Sequence, residues 1–183
     1  QRIHTSAVKD TAMELGVPLA QPDLLRSTDF LQQLDAWDAD VYCVVAFRML
    51  PEVVWSRPRK GTINVHGSLL PDFRGAAPIQ HAVAAGMTRT GVTSFFITRE
   101  IDTGALLLQR ACTIDSDDTS GEIYRKLMTE GAGLLVDTVD ALSVDGIRGI
   151  PQDQLMTGDE RMAPKLFRQD GRIDWRKGAN AVR

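Results

Sequence analysis

An open, mostly parallel α/β sheet is the fold this sequence predicts, and three features carry the prediction. Residues 40–47 include the run Val-Tyr-Cys-Val-Val-Ala-Phe with no polar alternation, which is how a strand covered on both faces reads. Strand-like and helix-like segments then take turns along the chain, the pattern of helices packed on a sheet. Finally, a β-branched strand at residues 61–66 runs directly into a Gly/Ser/Pro turn, and in sheets of this kind ligands sit beyond the carboxyl ends of the strands.

Taken in order, the chain opens at Gln1 without a Met or an initial strand, so a preceding segment is expected. Residues 6–15 read as a helix ended by Gly16 and Pro18. A short strand is expected at 18–22 and a helix at 29–37, followed by the apolar strand 40–47. Residues 51–55 form one helical turn and 61–66 the next strand. Pro78 in a first-turn position opens a helix over 79–85 that Gly86 closes. Two further strands, 91–97 and 105–114, flank a turn at 100–104. Thr119-Ser120-Gly121-Glu122 is a capping box, and the helix after it carries Ile123, Leu127, Leu134, Leu135, Thr138 and Leu142 at roughly helical spacing. From residue 150 to 183, Pro, Gly and mixed charge with weak periodicity read as a linker that heads away from the 1–149 domain.

Composition narrows the function classes. At 183 residues, with 43% hydrophobic and 25% charged, the chain can bury a core, and its net charge of −3 excludes a uniformly basic nucleic-acid binder. Residues 161–183 nonetheless hold seven Lys/Arg against two Asp, which is either a solvated linker or a local basic patch. Cys43 and Cys112 lie far apart in apolar runs and are expected to be buried structural thiols in a reducing compartment. His4, His66 and His81 show no ligand spacing, so no metal is expected. No apolar run approaches the ~18 residues of a membrane span.

The chemistry concentrates at Asn64 and His66, which alternation puts on one side of their strand. An amide can donate to a carbonyl oxygen, and an imidazole that titrates near neutrality can move a proton to a departing group. Transfer of a one-carbon acyl group to an amine needs those two functions and a charge to orient the second. Asp102, in the Ile-Asp-Thr-Gly turn, is the best placed carboxylate, and a neighbouring carboxylate favours imidazolium. Singly, each residue also has a plain reading. Asn64 and His66 could be satisfied turn or core groups, Asp102 a turn residue, and Arg74 a loop cation.

Together they form a pattern. Asn64-x-His66-Gly67-Ser68-Leu69-Leu70-Pro71, then Arg74-Gly75-Ala76-Ala77-Pro78-Ile79-Gln80, then Asp102-Thr103-Gly104 with Asp102 38 positions after Asn64, resemble the signature of the 10-formyltetrahydrofolate-dependent formyltransferases. Gly67, the Ala76-Ala77-Pro78 run and Arg172-Ile173-Asp174-Trp175 most resemble the members that act on methionyl-tRNA. The resemblance covers nearly the whole chain.

It implies a Rossmann-like sheet and a catalytic trio of Asn64, His66 and Asp102. Ser68, Leu69, Leu70 and Pro71 would contact the folate, while Val45, Ala46, Phe47, Arg48, Met49 and Leu50 would line its pterin pocket through backbone groups. The co-substrate would be 10-formyltetrahydrofolate and the acceptor initiator methionyl-tRNA, with Lys165, Arg168 and Arg172 along the tRNA. A monomer in the bacterial cytoplasm, or in an organelle, is expected, with no membrane contact. Members of this family begin with a strand and an acceptor-stem loop and end in a β-barrel domain. The expectation is therefore a catalytic domain over 1–149 without its first strand and a linker over 150–183. Glycinamide ribonucleotide transformylases, formyl-folate hydrolases and sugar-amine formyltransferases share the trio, and a non-catalytic folate- or RNA-binding fragment is a further reading.

Overall fold

Ser6 accepts the Lys9 amide and so caps the first helix, α1 (Ala7–Glu14), which the chain leaves through Gly16 at φ 67°. The computed structural model describes residues 5–45, 49–144 and 147–178. A second serine cap, Ser27, opens α2 (Thr28–Trp37). The expected strand at 18–22 does not form: this stretch is irregular, and Pro18 and Pro22 have no N–H to place in a ladder.

Strand β1 (Tyr42–Val44), helical turn α3 (Glu52–Trp55), strand β2 (Thr62–His66), helix α4 (Pro78–Ala84), strands β3 (Arg89–Phe96) and β4 (Leu106–Thr113), and helix α5 (Ser120–Ser143) follow in order. The sheet order is β1-β2-β3-β4. Val44 pairs with Asn64 in a parallel ladder, whereas β2/β3 and β3/β4 are antiparallel. Among the described strands, parallel pairing is thus confined to β1 and β2. The β3–β4 connection is shorter than the dozen or more residues that a parallel crossover needs.

The strand expected over 40–47 is shorter than its apolar run and is not covered on both faces. Cys43 and Val45 are exposed, because α5 packs on β3 and β4 rather than on β1, and Ala46 and Phe47 lie outside the described residues. Neither thiol is buried as expected: Cys43 is exposed and Cys112 half-buried.

Thr119 and Glu122 close the capping box of α5 reciprocally. Ile123, Leu127 and Leu134 then pack with Val92, and Leu142 packs with Ile63 and Leu107. Burying side chains of this size is worth ~1.5–3 kcal/mol each, so α5 fixes one face of the sheet. Thr138 sits in the same stripe without harm because its hydroxyl bonds Leu134 O and Ser94 Oγ. Val65 and Ile63 join these two clusters. Alternation therefore sends Asn64 and His66 to the other face.

Residues 150–164 do not head away from the domain. Ile150 exchanges two backbone hydrogen bonds of 2.8 Å with Leu106, Gln152 is buried, and Ala163 packs fully buried against Phe73 and Ala82. Composition reads such a segment as a linker because its partners are backbone groups that no side-chain pattern advertises. Residues 165–178 are exposed apart from half-buried Asp174.

Candidate active site

His66 ends β2 with its ring edge-to-face on Phe95, at a centroid distance of 6.5 Å. Its Nε2 lies 2.9 Å from Phe73 O. A carbonyl can only accept, so Nε2 carries the hydrogen and Nδ1 is the ring nitrogen left open to another partner. Nδ1 faces Asp102 Oδ2 at 3.6 Å, within ion-pair range but too long for a direct hydrogen bond. Two positions earlier, Asn64 is 9% exposed and its buried Oδ1 has no hydrogen-bond partner. A buried polar atom left unpaired costs ~1–3 kcal/mol, and such exceptions call for a role. A substrate group is one that would satisfy it.

Asp102 holds a left-handed φ of 55°, which a non-glycine residue keeps only where its surroundings over-determine it. They do so here. Its Oδ2 accepts the Gly75 N–H at 3.0 Å, and its carbonyl accepts Gln152 Nε2 at 2.9 Å. The Asp-Thr-Gly turn also requires its glycine: a Cβ on Gly104 would stand 1.7 Å from Phe96 O. Gly75, at φ 127°, is forced in the same way, since a Cβ there would meet Ala163 O at 2.4 Å.

The loop after His66 is fixed from below. Ser68 is fully buried and donates to Asp72 O at 2.6 Å. Thr93 Oγ1 donates to Ser68 O and accepts the Leu70 N–H, while Gln109 Nε2 reaches Leu70 O and Thr93 Oγ1, both at 2.8 Å. The Leu70–Pro71 bond is cis. With Ser68 and Leu70 buried, Leu69 and Pro71 remain half-buried and reachable. On the β1 side, Met49 and Leu50 line an open depression of about 720 Å³ with residues 22–27 and 51, and Val45 is exposed. Ala46, Phe47 and Arg48 lie outside the described residues.

Lys165, Arg168 and Arg172 stand on the exposed chain after the docked segment. Lys165 Nζ lies 5.5 Å from the Phe167 ring centroid. Asp174 pairs with Arg176, and Asp170 accepts the Phe167 amide, so neither acid takes up Arg168 or Arg172 among the described residues. The described residues hold no group of three or more His, Cys, Asp and Glu arranged for a metal. No helix among them is long and apolar enough to cross a membrane.

Residues 2–139 match the family model described as formyl transferase. The chain belongs to the formyl transferase family. It is 50% identical over 182 residues to a Porphyromonas gingivalis protein named methionyl-tRNA formyltransferase, covering 99% of this chain and 56% of the relative. A Flavobacterium johnsoniae protein of the same name is 41% identical over 182 residues, 100% of this chain and 57% of the relative. The chain thus spans about half the length of the curated relatives it matches.

Solved structures agree on the fold. HypX from Aquifex aeolicus, in complex with tetrahydrofolic acid, superposes with a TM-score of 0.71 at 20% identity over 88% of this chain and 27% of that one. The formyltransferase PseJ from Anoxybacillus kamchatkensis, in complex with a UDP-linked ligand and tetrahydrofolate, gives 0.65 at 25% identity over 84% and 78%.

Three contributors to the site escaped the sequence. The Phe73 carbonyl and the Gly75 amide are backbone groups and leave no trace in residue type. Gln152 sits fifty positions beyond Asp102 in a stretch that reads as linker, and a lone amide there carries no signal.

Proposed function

We propose that the protein to which this chain belongs transfers the formyl group of 10-formyltetrahydrofolate to the α-amine of initiator methionyl-tRNA. The observation that carries the chemistry is the convergence of Asn64, whose Oδ1 is unpaired, with His66 and Asp102 on one face at a strand end, with His66 Nδ1 3.6 Å from the carboxylate. The names of the relatives at 41–50% identity support the acceptor.

In this reading the methionyl amine attacks the formyl carbon and forms the new C–N bond. Asn64 holds the oxygen through its Nδ2–H as it gains charge, and His66 joins it once Nδ1 has taken up a proton. The bond from that carbon to N10 of the folate then breaks, and the proton lost by the amine reaches N10 by way of His66, with Asp102 supporting the imidazolium. Leu69 and Pro71 would touch the folate directly, while Ser68 and Leu70 shape the loop from beneath. Val45, Ala46, Phe47, Arg48, Met49 and Leu50 would offer backbone groups to the pterin, and of these Met49 and Leu50 line the open depression. Residues 1–149 would form the catalytic unit of a bacterial cytoplasmic enzyme.

The test is formyl transfer by the full-length protein to methionyl-tRNA, glycinamide ribonucleotide and an amino sugar nucleotide in parallel. Turnover with methionyl-tRNA alone is expected, and His66→Ala should lower it by ~10²–10⁴-fold, the usual contribution of general acid–base help. Wild-type-like turnover in a folded His66→Ala protein would remove His66 from the chemistry, and preference for another amine would replace the acceptor.

A further inference from the structure

Gln152 is 2% exposed and commits its whole amide to the active-site turn. Nε2 donates to Asp102 O at 2.9 Å and to Gly104 O at 2.8 Å, while Oε1 accepts from Arg74 Nε at 2.9 Å and Nη2 at 2.6 Å. The two carbonyls bracket the turn that carries Asp102 in its left-handed conformation. Arg74 is also the neighbour of Gly75, whose N–H holds the Asp102 carboxylate. Backbone and side chain of Asp102 are thereby gripped through one buried amide and the residue pair it anchors.

The same docked segment reaches His66 from the other side. Arg161 O accepts the Phe73 N–H at 2.6 Å, and Phe73 O is the acceptor that fixes the His66 ring. Ala163 meanwhile exchanges backbone hydrogen bonds with Arg74 and Ala77 across Gly75.

We infer that Gln152 is a positioning residue for Asp102, holding its carboxylate opposite His66 Nδ1, and that residues 150–164 work as part of the active site. A catalytic group misplaced by about 1 Å can cost ~10²-fold in rate, which sets the scale of the effect. The inference rests on the formyl-transfer reading of the site.

The experiment compares the full-length protein with Gln152→Met, which keeps the volume without donors, and Gln152→Glu, which keeps the acceptor for Arg74 but offers Asp102 and Gly104 no N–H. At a temperature where circular dichroism reports both variants folded, kcat should fall ~10–10²-fold with the folate KM within twofold of wild type. A purely structural Gln152 would lower only the melting temperature; kcat within twofold of wild type in a folded variant overturns the inference, as does failure of both variants to fold. Should the wild type transfer no formyl group, the functional reading fails separately. Nitrogen NMR of the His66 ring then decides Gln152: a changed Nδ1 resonance in Gln152→Met supports the positioning role, and an unchanged one removes it.

Discussion

Replacing Asp102 with Asn removes one charge and little else. Asn keeps an oxygen for the Gly75 N–H and is among the residues best suited to a φ of 55°. What disappears is the attraction between a carboxylate and an imidazolium 3.6 Å away. Coulomb's law puts that attraction at about 4–5 kcal/mol for an effective dielectric of ~20 and about 1 kcal/mol for bulk water. The side chains of His66 and Asp102 are 7% and 12% exposed, so the site lies between these limits. A loss of roughly 2–3 kcal/mol in the charged transition state corresponds to a ~30–150-fold lower kcat. Steady-state kinetics of full-length Asp102→Asn with methionyl-tRNA reads this loss. A kcat within threefold of wild type would refute the charge argument.

Two other outcomes follow from the surface and the caps. Replacing Lys165, Arg168 and Arg172 together should weaken tRNA binding and reduce the slope of log affinity against log salt by ~2–3, at ~0.7–0.9 per lost phosphate contact, with folate binding unchanged. Filter binding of methionyl-tRNA over a salt series measures this, and an unchanged slope eliminates the phosphate role. The Glu122 carboxylate is held below its ordinary value of 4.5, first by the Thr119 amide and then by the Thr119 hydroxyl. A depressed carboxylate adds stability that is present above the ordinary value and lost as pH falls through the folded one. The melting-temperature deficit of Glu122→Gln should therefore be full at pH 7 and shrink as the pH falls below 4.5; a deficit independent of pH would mean that the cap works without its charge.

Much of this protein is legible in one dimension because the physics that fixes it is local. Helix caps at Ser6, Ser27 and Thr119 act within one turn, and the stripe from Ile123 to Leu142 along α5 follows from a period of 3.6. Alternation places Asn64 and His66 on one face, and residue type states which of them can donate and which can titrate. The motifs around them suffice for the family. Covering of β1, in contrast, is not local: an apolar run cannot tell whether a helix lies over it, and α5 leaves Cys43 exposed.

The sequence by itself determined the helices, strands β2 to β4, the polar face of β2 and the residue types that carry the chemistry. Only the tertiary structure decided that Asp102 stands 3.6 Å from His66, that the Phe73 carbonyl engages the His66 Nε2, and that residues 150–164 fold back to clamp both through Gln152 and Arg161. Those decisions belong to backbone groups and to pairs up to 89 positions apart, such as Asp72 with Arg161. A carbonyl or an amide is present at every residue, so which one is used depends on where the chain brings it in space.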